Sequence, residues 1–173
     1  MNLEKLAEVV ENMIIQHDYP GFEPRALLLG LPDEVTKAPA KVFGDGLRHE
    51  NVFVRLASLR WFQERPGLAR SYMIKVVLPM LKDVDPYVRM ETIRLIERAT
   101  EPNQEMVLQI SPLLQDENPE VQRWAARALG KLCKKLKIKD QTIIESLQVA
   151  AAAPDSQLRG KAEKALRKIG VYD

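Results

Sequence analysis

Arg60, Arg94, Arg127 and Lys164 each stand six residues after one of four aligned apolar positions, Val54, Val88, Val121 and Leu158. Four residues further on stand Glu64, Arg98, Lys131 and Lys168, so seven of these eight positions carry a cation. Residues four apart share a helix face and avoid the apolar stripe. The chemistry such a row offers is anion recognition. A guanidinium clamps a carboxylate or phosphate through its planar fork, and an ammonium supplies a compact point charge. Like charges at this spacing cost about 0.2–0.5 kcal/mol per pair in an isolated helix, a penalty that solvation tolerates and an anionic partner offsets. The predicted binding ridge is Arg60, Arg94, Arg98, Arg127, Lys131, Lys164 and Lys168, with Arg94 and Arg127 making the oriented contacts.

Other chemistry has little foothold. His17 and His49 are 32 residues apart, and neither stands in a zinc-like spacing with Cys133, the one cysteine. Cys133 follows the apolar Leu132, which marks a packed thiol rather than a nucleophile, although Lys134 and Lys135 would favour a thiolate if it were exposed. "GFEPRALLLG" and "GDG" lack the context of a phosphate-binding loop. No catalytic residue, metal ligand or cofactor is therefore assigned.

The elements that must hold the ridge come from repetition. "DPYVRMETIRLI" from Asp85 is met again as "ENVFVRLASLRWF" from Glu50, "ENPEVQRWAARAL" from Glu117 and, more loosely, "PDSQLRGKAEKAL" from Pro154. The aligned positions are offset by 34, 33 and 37 residues, a period at which one unit is a supersecondary element. Apolar spacing predicts an N-terminal helix over 3–16, then pairs at 34–47 and 51–65, 68–82 and 86–99, 103–115 and 119–137, and 139–152 and 156–169. Pro79 and Pro112, 33 residues apart, should bend the first helices of their pairs, and Pro39 falls inside the first of these helices. Residues 17–32 hold three prolines and two glycines and read as a capping loop, with Phe22, Leu27, Leu28 and Leu29 too apolar for a solvated linker. In the second helices Ala125, Ala128, Leu129 and Leu132, and likewise Ala162, Ala165, Leu166 and Ile169, form the stripes that must be buried between units.

On Asp85, Pro86, Val88 and Arg89, on Asn118, Pro119, Val121, Ala125, Ala128, Leu129 and Gly130, and more weakly on the other two units, the chain resembles the HEAT-repeat family. Departures are Gln122 in place of arginine, no turn proline in the first unit and "PDS" for "DP" in the fourth. Armadillo-like packing is closely similar. The resemblance covers roughly residues 33–170 and implies an all-α fold: a right-handed alpha-solenoid of about four HEAT-like helix pairs with an N-terminal capping helix. Residues 1–32 form the helix and capping loop, continuous with a repeat domain over 33–173. It also implies that the second helices line a concave side, which would carry the basic ridge. Arg55, Arg89 and Arg159 are expected to reach turn acids such as Asp85, as a ladder between units.

The formal charge is only +2, yet residues 120–173 hold twelve Lys and Arg against six Asp and Glu, leaving fourteen against eighteen in residues 1–119. The basic surface is thus concentrated in the last two units, which selects an acidic partner. Trp61 and Phe62 fall on the apolar stripe, whereas Phe53, Tyr87 and Trp124 could form an aromatic rim. The sequence reading is a non-catalytic adaptor or scaffold engaging an acidic protein surface. A nucleic-acid-binding module is the alternative, and a HEAT-like DNA glycosylase or chromophore lyase ranks below it. The N-terminus has no uninterrupted apolar stretch, so a soluble cytoplasmic chain without a membrane partner is expected.

Overall fold

The computed structural model describes residues 1–16, 32–65, 67 and 73–172. The capping loop expected from 17, with its Phe22, Leu27, Leu28 and Leu29, and the start of the helix expected at 68 lie outside the described residues. Every regular element among the described residues is helical. Contacts gather the chain into two compact units, Met1–Glu91 and Thr92–Asp173.

In the first unit α1 (Leu3–Gln16) buries Leu6 and Val10. The predicted single helix over 34–47 is instead two, α2 (Asp33–Thr36) and α3 (Ala40–Gly46), because Pro39 has no N–H to donate and its extended backbone caps the second. The Asn51 side chain accepts from the Phe53 amide and starts α4 (Val52–Gln63), which buries Val54, Leu59, Trp61 and Phe62. Trp61 stacks on Phe43 at 4.3 Å and meets Phe62 edge to face. The next described element is a π-helical turn, Met73–Val77, followed by a 3-10 turn, Leu78–Lys82. Pro79 in the second of these turns removes the donor that would have continued an α ladder. α5 (Pro86–Arg98) begins in this unit, where the Asp85 carboxylate accepts from the Tyr87 and Val88 amides.

Asp85 thus caps its helix, and the arginines expected to form a ladder also bond the chain of their own turns. Arg89 donates to the Asp83 and Val84 carbonyls, Arg55 to those of His49 and Glu50, and Arg159 to that of Ala153. Each reaches back five or six residues to carbonyls of its own turn that no helix satisfies. Gln122 makes the same bond to Asp116 at 2.6 Å, which explains why an amide can stand where the repeat has arginine. Arg55 also pairs with the turn acid Asp83, a link between successive repeats of the kind expected from the sequence.

The second unit holds the end of α5, then α6 (Gln104–Ile110) running into a 3-10 turn (Ser111–Gln115) at Pro112, α7 (Pro119–Leu136), α8 (Gln141–Ala151) and α9 (Ser156–Ile169). Asn103, Asn118, Asp140 and Asp155 each cap the helix that follows, every one accepting at least one first-turn amide. α7 and α9 close with left-handed residues, Lys137 (φ 56°) and Gly170 (φ 79°), and the amides of Ile138 and Val171 bond back to Cys133 and Leu166. Ala125, Ala128, Leu129, Ala162, Ala165 and Leu166 are all buried, as the apolar phase of the repeats requires. Burying each such leucine contributes about 1.5–3 kcal/mol. α7 and α9 approach so closely that a Cβ on Gly130 would lie 2.6 Å from the Ala165 Cα and Cβ, so only glycine fits there.

Candidate functional site

The Gly130–Ala165 approach decides the geometry of the surface beside it. Arg127 and Lys131 flank Gly130 on α7, and Lys161, Lys164 and Lys168 run along the facing side of α9. With the two helices this close, their basic rows converge on one cavity of about 390 Å³, lined by Glu97, Arg127, Lys131, Lys161, Lys164, Ala165 and Lys168. Glu97, from the last turn of α5, is the one acid in the lining. Its carboxylate is buried, and one oxygen accepts from Lys131 Nζ at 3.0 Å and Arg127 Nη2 at 3.3 Å. Lys161, Lys164 and Lys168 form no direct hydrogen bond or ion pair with a described residue. Partial burial, and then the neighbouring Lys164, Arg127 and Lys131 charges, push the Lys168 ammonium below its ordinary range, with Glu97 opposing. The cavity is a region of mutual cation repulsion that an incoming anion would relieve.

A smaller depression of about 170 Å³ shares Arg127 and Lys161 with the first and is completed by Glu120, Arg123, Trp124 and Gln157. Trp124 is half-buried, with the Arg127 guanidinium 4.7 Å and the Arg94 guanidinium 5.1 Å from its ring. The indole therefore holds two guanidinium groups of the predicted ridge instead of offering a bare aromatic rim. Arg123 is committed elsewhere: it pairs with Glu120 and with Asp155, the capping acid of the next helix. The Arg123 bonds and the Leu158 amide hold the Asp155 carboxyl below the usual carboxylate range.

Of the residues singled out from sequence, the second unit brings Arg127, Lys131, Lys164 and Lys168 to the cavity and Arg94 to Trp124, while Arg98 is exposed and does not line it. Arg60 belongs to the first unit, where it donates to Glu64 at 3.1 Å. Phe53 is half-buried and Tyr87 exposed, both in the first unit. Sequence reasoning missed Lys161 and Glu97. Lys161 lies three and seven residues before Lys164 and Lys168 and so extends their face, a signal hidden by attending to the two repeated offsets alone. Glu97 has no periodic signal, for the equivalent positions hold Gln63, Gly130 and Arg167. Cys133 is buried, and desolvation pushes its thiol up to about 11, the state of a packing residue. Among the described residues no group of three His, Cys, Asp or Glu is placed to hold a metal, and no helix is long and apolar enough to cross a membrane.

A family model of HEAT repeats matches residues 74–167, more than half of the chain and all of this site but Lys168. The chain belongs to the HEAT-repeat family. The match takes in the turn of α5, the α7 cap and the α9 stripe, the same residues that build the second unit's core. HEAT repeats commonly serve as protein-binding scaffolds. Two crystal structures of engineered proteins from the Northeast Structural Genomics Consortium share the fold. One is 19% identical with a TM-score of 0.58, the comparison covering 98% of this chain and 80% of that one. The other is 21% identical with a TM-score of 0.57, covering 98% and 81%. Curated proteins give no significant match.

Proposed function

We propose that this HEAT-repeat protein is a non-catalytic adaptor of the cytoplasm, whose second unit presents a basic face to an acidic segment of a partner protein. The observation that carries the reading is the convergence of five basic side chains on one cavity that holds a single acid. Charge of one sign in a concave site focuses the field and selects partners of opposite sign. Arg94 and Arg127 on Trp124 are the oriented contacts, since a guanidinium fixed against an aromatic face loses less freedom on clamping a carboxylate. The free, buried Cys133 suits a reducing compartment.

The test is a titration of the full chain with a glutamate-rich peptide and, separately, with duplex DNA, near physiological salt. The peptide is expected to bind, and Arg127→Glu with Lys164→Glu should weaken it by ~10-fold or more, because reversal puts repulsion across a shared interface. Lys37→Glu with Lys82→Glu, both exposed in the first unit and outside the cavity lining, makes the same charge change and should leave peptide affinity within ~2-fold. Equal losses in the two double variants, or tight binding of the DNA with none of the peptide, would overturn the reading.

A further inference from the structure

Taking the acidic-partner reading as its base, we infer that the cavity between α7 and α9 is a phosphoryl pocket, and that the partner's acidic segment carries a phosphorylated serine or threonine that seats there. The first reason is charge density. Five cations face one carboxylate, so four formal positive charges stay uncompensated around one cavity, more than a single monovalent carboxylate can answer. A phosphomonoester brings close to two negative charges and three acceptor oxygens to one point. The second reason is shape. Arg127 and Lys131 from one helix and Lys161, Lys164 and Lys168 from another line opposite sides of a concavity of about 390 Å³, which suits a compact tetrahedral group entered by several donors at once.

The third reason is how the donors are held. Glu97, buried beneath them, ties Arg127 and Lys131 in place through one oxygen, and Trp124 carries the Arg127 guanidinium on its ring. The other three lysines have no such partner and are free to close on an incoming anion. The approach of the two helices at Gly130 fixes the separation of the rows before any ligand arrives, so little reorganisation is needed. Trp124 already lies against two arginines, which leaves it poorly suited to stack a nucleobase and favours a phosphoprotein over a nucleic acid.

Two short peptides of one sequence, with a central serine among glutamates, distinguish this inference from its base when titrated against the full chain by fluorescence anisotropy. The phosphoserine form is expected to bind ~10-fold or more tighter than the serine form, and inorganic phosphate should displace it preferentially. In Lys164→Gln with Lys168→Gln, which removes two cations from the cavity lining without touching the apolar core, the preference should shrink to ~2–3-fold while residual binding of the serine form persists. Equal affinity for the two forms in the wild-type chain overturns the phosphoryl pocket and leaves the acidic-partner reading standing. A preference that survives the double variant undiminished also overturns it. Failure of both peptides to bind overturns both readings.

Discussion

In the first unit Arg60 and Glu64 occupy the repeat positions that Arg127 and Lys131, and then Lys164 and Lys168, occupy in the second, and the two sets have opposite fates. Arg60 and Glu64 neutralise each other along one helix face. Arg127 and Lys131 share one buried carboxylate, and Lys164 and Lys168 have none. The first unit instead places its charges inside: Arg55 and Asp83 pair at 2.9 Å with side chains only 10% and 7% exposed, and Gln63 bonds Glu91 in the buried layer. One repeat pattern thus serves cohesion in one unit and an unbalanced surface charge in the other. A row of like residues keeps an unbalanced charge only where no internal counter-ion has claimed it.

The largest expected effect breaks the interior charge. Asp83→Ala should destabilise the protein by about 3–5 kcal/mol in denaturant unfolding, since it leaves the buried Arg55 guanidinium uncompensated. Lys164→Ala, by contrast, should change stability by no more than about 0.5 kcal/mol, as an unpaired surface residue does. If the two losses are equal, the contrast between a cohesive interior and a free surface is wrong.

A middle-sized effect sharpens the second unit's side of the contrast by testing how dry its core is. The thiol of Cys133 titrates near 11 in the fold against 9.0 in an unperturbed chain, so between those values the unfolded state has released a proton that the fold retains. Stability tied to this residue is therefore intact below pH 9 and is lost as pH rises towards 11, by about 1.4 kcal/mol per unit. Denaturant midpoints of wild type and Cys133→Ala across that window should show the wild type falling further, by roughly 2–3 kcal/mol at its upper end. Parallel curves would show that the thiol is open to water.

The smallest effect concerns the neutralised pair. Glu64→Gln should alter stability by less than about 0.5 kcal/mol, as expected of an exposed i, i+4 pair. Binding of the acidic peptide to the second unit should not change. A gain in peptide affinity would mean that Arg60, once released from Glu64, joins the binding surface.

Much of this architecture was legible in the sequence because short-range rules govern it. The helix-pair period, the caps at Asn118 and Asp155, the breaks at Pro79 and Pro112 and the buried phase of Ala125, Leu129, Ala162 and Leu166 all follow from spacing within one or two turns. Pro39 was legible as an irregularity, and it splits the helix outright. The arginines after Val54, Val88 and Leu158 were legible as a repeated feature, and Arg55 does reach a turn acid, Asp83, but their bonds to turn carbonyls were not legible, because such carbonyls are present in every sequence and leave no trace in side-chain pattern.

The sequence by itself determined which residues are basic and on which helix face they stand, since helical period alone sets that. Only the tertiary structure decided which of those charges are cancelled. Arg60 meets an acid on its own helix, whereas Arg127 and Lys131 meet Glu97 from a helix about thirty residues earlier, and Arg123 meets Asp155 from the helix after. The convergence of the α7 and α9 rows likewise depends on how near two helices come, which Gly130 permits and Ala165 completes. Coulombic partnership falls off with distance in space and takes no account of separation along the chain, so the charge left over at a surface is a property of packing.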